Sequence, residues 1–138
     1  MARKLSICVY SGTVDKLLPV AIMTSGAVAM DMEVNLFVTF YGLYAFRKDQ
    51  VSKNMKFSKD FEEMAPMLMK NMGEMKVPSW YDMLKEAKAS GKVRIMACST
   101  AAGVMKVEKK DLVDIVDEVV GVGTYLDQAA GSDITLWI

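Results

Sequence analysis

The chain has 138 residues, its Lys plus Arg equal its Asp plus Glu at 17 each, and 52% of its residues are hydrophobic. That length suits one domain, 1–138, which buries roughly two-thirds of the surface its extended chain would expose, and the balanced charge gives no field to draw nucleic acid or an anionic membrane. Histidine is absent, so Ser-His-Asp and Cys-His catalysis and His-ligated zinc are excluded, and any chemistry rests on a thiol, a carboxylate, a lysine or main-chain dipoles.

The N-terminal Met1-Ala2-Arg3-Lys4 lacks the shape of a signal peptide. Runs at Lys4 to Tyr10, Val34 to Phe40, Val93 to Ala97, Glu118 to Val122 and Ile134 to Ile138 are rich in Val, Ile, Leu and aromatics and read as strands buried on both faces. Helix-like segments lie between them at Thr13 to Asp31, Ser58 to Asn71, Ser79 to Ser90, Val107 to Val116 and Thr124 to Ala130. Ser79 is placed to open one helix that Ser90-Gly91 closes, and Thr124 to cap the last. The longest apolar stretch, Leu17 to Met30, is interrupted by Pro19, Thr24, Ser25 and Gly26 and is too short to span a bilayer; it reads as a buried helix of a soluble protein. Alternating strands and helices predict a three-layer α/β/α sandwich on a mainly parallel five-stranded sheet, with strand order open.

Ligands of such sheets gather at the carboxyl ends of the strands. The connections there are Ser11-Gly12-Thr13, Tyr41-Gly42-Leu43-Tyr44, Cys98-Ser99-Thr100 and Gly121-Val122-Gly123-Thr124. Their glycines and hydroxyls allow close main-chain approach to a small anion, although Gly and Ser also simply make tight turns. What lifts the cluster above ordinary turns is Cys98. If its strand feeds a helix, the first free amides and the helix dipole favour thiolate over thiol there, in an exposed position. The competing reading is a small buried hydrophobe. Cys8, between Ile7 and Val9 within a strand, reads as structural. With only two cysteines and no CxxC, reduced thiols in the cytoplasm are expected rather than a disulfide.

Other motifs fail. Gly121-Val122-Gly123-Thr124 begins like a dinucleotide fingerprint but lacks the third glycine and the space for a βαβ unit. No Walker loop is present, and Ser11-Gly12 stands where a phospho-accepting receiver would carry acids. No cofactor and no metal are expected. Of thirteen methionines, Met55, Met64, Met67, Met69, Met72 and Met75 crowd the stretch 53–76. Without histidine or a regular Met array a copper site is disfavoured, and the segment reads as a flap or a subunit interface.

Taken together, Ile7-Cys8-Val9-Tyr10-Ser11-Gly12, Leu36-Phe37-Val38-Thr39-Phe40-Tyr41-Gly42-Leu43, Ala97-Cys98-Ser99 with Gly103, and Val120-Gly121-Val122-Gly123-Thr124-Tyr125-Leu126 resemble the DsrE/DsrF-like family, in particular its peroxiredoxin-annotated branch. The resemblance runs in the same order over nearly the whole chain. It implies a trimer or hexamer that handles sulfane sulfur in a relay. In that relay a strand-end cysteine, here Cys98, carries a persulfide or thiosulfonate and passes it to an acceptor thiol. Partners would be other sulfur carriers, rhodanese-like or TusA-type. Ser99 and Thr100 would stabilise the anion, Ser11 and Gly12 form a facing wall, Tyr41 and Tyr44 limit water, and Gly42 and Gly123 shape the turns; Lys106 is a candidate counter-charge. No further cysteine follows in Ser99 to Asp111. The alternative is a non-catalytic homo-oligomeric module that binds a small ligand, with Cys98 structural. A peroxidatic thiol ranks third, for want of a resolving cysteine that sequence can name.

Overall fold

The structure, a computed structural model, describes residues 3–138; Met1 and Ala2, which open the N-terminal stretch considered above, lie outside the described residues. The apolar runs form strands β1 (Lys4–Val9), β2 (Glu33–Val38), β3 (Val93–Cys98), β4 (Glu118–Val120) and β5 (Ile134–Trp137). All pair in parallel, in the order β4-β3-β2-β1-β5. Helices α1 (Val14–Ala29), α2 (Tyr41–Ala45), α3 (Ala65–Glu74), α4 (Trp80–Ala89), α5 (Ser99–Met105) and α6 (Val122–Ala129) lie in the crossovers.

The strand order makes the two helical layers unequal. From β1 to β4 the chain steps in one direction, so right-handed crossovers put the intervening helices on one face; the return to β5 reverses direction and sends α6 to the other. Accordingly α1 packs on α4 and on β1 and β2, while α6 contacts β1 and β2. Alternation along each strand sorts the residues. One face carries Leu5, Ile7 and Val9 with Leu36 and Ile95, all buried, each such side chain stabilising by roughly 1.5–3 kcal/mol. The opposite face is mixed. Ser6 shares a 2.8 Å hydrogen bond with Ser132 and accepts from Asn35 Nδ2 at 3.4 Å, and Cys8 pairs with Phe37, which pairs with Met96.

Caps account for several boundaries. Ser79 Oγ accepts from Asp82 N at 3.1 Å to start α4, and Gly91 at φ +79° lets the chain turn back after it. The Thr124 cap is corrected: Gly121 precedes α6 and Thr124 lies inside it. The helix expected over Val107 to Val116 is also corrected. Only a 3-10 turn, Lys109–Asp111, forms there, because the following residues are drawn into extended contact with a neighbouring loop. Leu112 bridges Arg47, Val113 N donates to Phe46 O at 2.9 Å, and Leu112, Val113 and Val116 are buried. These side chains fill core without a helical period.

The methionine-rich stretch is a 3-10 segment, Lys59–Met64, leading into α3, and no residue of α3 is fully buried. Met55, Met69 and Met72 meet Trp80 around a groove of about 340 Å³. Its N-terminal side is tied to the start of α1: Val14 N donates to Lys56 O at 2.7 Å, and Asn54 Nδ2 to Gly12 O at 2.8 Å. Among the described residues no helix is long and apolar enough to cross a membrane.

Candidate functional site

Strand β3 ends on Cys98, and α5 begins at the next residue. Cys98 is therefore the N-cap of α5, and its Sγ accepts a hydrogen bond from Ala101 N at 3.5 Å. A thiol serves here as Ser or Asp serves at other helix starts, taking an amide that has no partner within the helix. The amides of Ser99 and Thr100, expected to face the sulfur, are not the donors seen.

Cys98 was expected to be exposed, and it is not: only 7% of it meets solvent. The sulfur still borders open space. It lines a cavity of about 520 Å³ between the sheet and α6, together with Cys8, Phe37, Thr39, Tyr125 and Trp137. The cavity lies beneath α6, an eight-residue helix that contacts β1 and β2. Phe37 from the sheet stacks on Tyr125 from α6 with centroids 4.7 Å apart and planes at 9°, which holds the helix over the strands. Val122 and Leu126 on α6 and Trp137 on β5 are more than half exposed and form an apolar rim.

Cys8, read from sequence as a structural strand residue, borders the same cavity and is equally buried. Burial, and secondarily the nearby Cys98, push its thiol up to about 11. Tyr125 is pushed up to about 12, by burial and then by Cys8. Both groups are neutral near pH 7.

Of the other site residues expected from sequence, Ser11, Gly12, Tyr41, Gly42, Ser99, Thr100 and Gly123, none lines this cavity. Gly12 and Gly42 are used by the chain itself: a Cβ on Gly12 would lie 2.2 Å from Tyr41 O, and one on Gly42 2.3 Å from Val9 O. These two contacts clamp the β1 and β2 exits together. Tyr41 is exposed and packs edge-on against Tyr10 at 5.5 Å; Tyr10 in turn stacks on Trp137 at 5.7 Å. Tyr44 stands apart from the cavity, beside Lys56 and Arg47. Phe40, the residue before α2, has φ +47° and ψ −112°, a strained conformation for a residue with a side chain. Ser11 borders a separate cleft with Tyr10, Lys16 and Trp137. Ser99, Thr100 and Gly123 are exposed at the starts of α5 and α6, and Lys106 ends α5 in the left-handed region, away from the cavity lining.

Sequence reading missed Cys8, Phe37, Thr39 and Tyr125 as wall residues. Spacing by two along one strand places Cys98 with Met96 and Thr39 with Phe37, but joining the strands needs the register, which no single run contains.

A parallel α/β sheet whose third strand delivers a capping thiol into a helix-covered cavity defines a class of small α/β proteins with a strand-end cysteine. The chain belongs to the DsrE/DsrF/DrsH-like family, whose model matches residues 1–70 and 50–137. It is 29% identical over 157 aligned positions to the Uncharacterized protein YrkE of Bacillus subtilis (strain 168), covering 99% of this chain and 97% of that protein. It is 27% identical to the Sulfur carrier protein DsrE2 of Allochromatium vinosum, covering 99% and 98%. Among solved structures, a protein of unknown function from Methanobacterium thermoautotrophicum, MTH1491, matches with a TM-score of 0.61 at 16% identity, covering 99% of both chains. That likeness concerns the fold.

Proposed function

We propose that this protein is a sulfur-relay carrier in which Cys98 holds sulfane sulfur and passes it to an acceptor thiol. The observation that carries the reading is the position of Cys98: a helix N-cap with an amide on its sulfur, bordering an apolar-rimmed cavity. Membership of the family and the similarity to a sulfur carrier support it. In the loading step Cys98 thiolate attacks the outer sulfur of a donor persulfide R–S–SH. A bond forms between Sγ and that sulfur, the donor S–S bond breaks, and R–S⁻ leaves. Unloading repeats the displacement with an acceptor thiolate attacking the outer sulfur and Cys98 leaving. Sulfur keeps its oxidation level throughout, so no cofactor is required. A thiosulfonate group is loaded from tetrathionate by the same kind of displacement: Cys98 Sγ attacks a central sulfur, the central S–S bond breaks and thiosulfate leaves.

The same reading assigns the exposed collar of Val122, Leu126 and Trp137 to docking of another sulfur carrier, rhodanese-like or TusA-type, which brings the donor or acceptor sulfur to the mouth. It takes the chain as one domain that assembles as a trimer or hexamer in the cytoplasm, with the methionine-rich stretch 53–76 as flap or subunit interface. Ser11, Gly12, Tyr41, Gly42, Ser99, Thr100 and Gly123 then shape the approach at the strand ends rather than touch the sulfur.

Intact mass measured after incubation with polysulfide or tetrathionate tests the proposal. Adducts of whole sulfur atoms or of a thiosulfonate group are expected on the native protein, reversible by a thiol and lost in Cys98→Ser. A native protein that takes up no sulfur, and whose Cys98 stays inert to alkylation, would instead be the small-ligand module with Cys98 structural.

A further inference from the structure

We infer that Cys8 is a second sulfur-accepting thiol of this cavity, reached from Cys98 only through a chain of sulfane atoms, so that a single sulfur loads Cys98 alone and polysulfide is needed to fill both. The inference rests on the carrier reading above. Its basis is where the sheet puts the two thiols. Both border the cavity and both are buried to the same degree. Cys8 on β1 pairs with Phe37 on β2, and Phe37 with Met96 on β3. Cys98 therefore lies two strands over and two residues further along, on the same face.

Strand spacing of about 4.8 Å and a rise of about 3.3 Å per residue separate their Cα atoms by about 12 Å. A disulfide needs roughly 7 Å or less, so the pair cannot close on itself while the sheet is intact. A single persulfide is also too short, since each sulfur added to Cys98 extends its reach by only about 2 Å. Two or three sulfane atoms bring the chain end beside Cys8. The cavity, about 520 Å³ in volume, has room for that chain along Phe37 and Thr39, and its apolar and aromatic walls suit a soft, polarizable ligand.

The step balances without an oxidant. Cys8 Sγ attacks the terminal sulfur of the chain on Cys98, and a new Sγ–S bond forms. The bond between the terminal and penultimate sulfurs breaks, and the shortened chain on Cys98 leaves with the electron pair and takes up the proton of the Cys8 thiol. The transferred atom remains sulfane. Because burial and the neighbouring Cys98 hold the Cys8 thiol at about 11, its thiolate is a poor leaving group, and sulfur parked there is released more slowly than from a thiol of ordinary acidity. Cys8 thus acts as a holding station behind Cys98.

Peptide mapping distinguishes the outcomes. The protein is loaded with excess sodium polysulfide or with one equivalent of a low-molecular-weight persulfide. It is then quenched with an iodoacetamide reagent in denaturant and digested with trypsin, which releases Leu5–Lys16 and Ile95–Lys106 separately. Polysulfide is expected to put sulfane sulfur on both peptides, and the single-sulfur donor on Ile95–Lys106 alone. In Cys98→Ser the loading of Leu5–Lys16 should fall at least tenfold. Sulfur on Ile95–Lys106 only under both donors overturns the inference and leaves the carrier reading standing. Equal loading of Cys8 in Cys98→Ser, or by one equivalent of persulfide, overturns the relay from Cys98. No sulfur on Ile95–Lys106 overturns both. The wild-type comparison of donors needs no variant to fold.

Discussion

The rings of Phe37 and Tyr125 lie nearly parallel with their centroids 4.7 Å apart, one rising from the central strand and the other descending from α6. This stack joins the sheet to α6, which contacts β1 and β2, and it forms the floor and roof of the cavity that holds both thiols. Offset or edge contacts between such rings add about 0.5–1.5 kcal/mol beyond the area they bury.

Tyr125→Ala should therefore lower stability by on the order of 3 kcal/mol, as expected for truncating a buried aromatic. It should also loosen α6, so that Cys98 is alkylated faster in the native protein. Tyr125→Phe keeps the stack and should change the urea midpoint little. A Tyr125→Ala protein with an unshifted midpoint would show that α6 is held by something else.

The glycines divide by what surrounds them. Gly12→Ala and Gly42→Ala would each drive a Cβ into a main-chain carbonyl, at 2.2 and 2.3 Å, and main chain yields less than a side-chain tip; each should cost about 1–3 kcal/mol. Gly26, inside α1, has nothing within 4 Å of a built Cβ. Gly26→Ala should stabilise by about 0.5–1 kcal/mol through helix propensity. Thermal unfolding of the three variants checks the opposite signs.

Alkaline pH should destabilise the fold through Cys8 and Tyr125. Both are harder to ionise in the folded protein than in the unfolded chain: Cys8 rises from 9.0 to about 11, by burial and then Cys98, and Tyr125 from 10.0 to about 12, by burial and then Cys8. A raised acid favours the folded state fully below its unfolded value, and that contribution fades as pH climbs toward the folded one. For Cys8 the loss runs from about pH 9 to about pH 11 and amounts to on the order of 2 kcal/mol; Tyr125 follows about one unit later. The urea midpoint should be level from pH 7 to 8.5 and then decline. In Cys8→Ala the early part of that decline, near pH 9–10, should be missing.

Strands β1, β2 and β3 were legible because each is a short apolar run buried on both faces, a composition with few other outcomes; β4 and β5, also expected to be buried on both faces, are edge strands with no buried residue. Val93–Cys98 ends where Ser99-Thr100-Ala101 begins, and a β-region residue followed by small, cap-friendly residues marks a strand turning into a helix. Val107 to Val116 misled because its apolar residues mimic a helical stripe while packing as an extended segment against Phe46 and Arg47. Thr124 looked like a cap, yet Gly121 already supplies the extended backbone from which α6 starts. Gly12 and Gly42 looked like ligand-approach glycines, and the contact their missing side chains permit is with the chain itself.

Read alone, the sequence determined a parallel α/β architecture and a thiol at the third strand's exit, because burial pattern, turn residues and caps are written locally. Tertiary structure decided the order β4-β3-β2-β1-β5, the crossing of α6 to the thinner face and the meeting of Cys8 with Cys98 in one cavity. These depend on register and crossover direction, which arise from contacts between residues as far apart as 8 and 137 and leave no mark within any single segment.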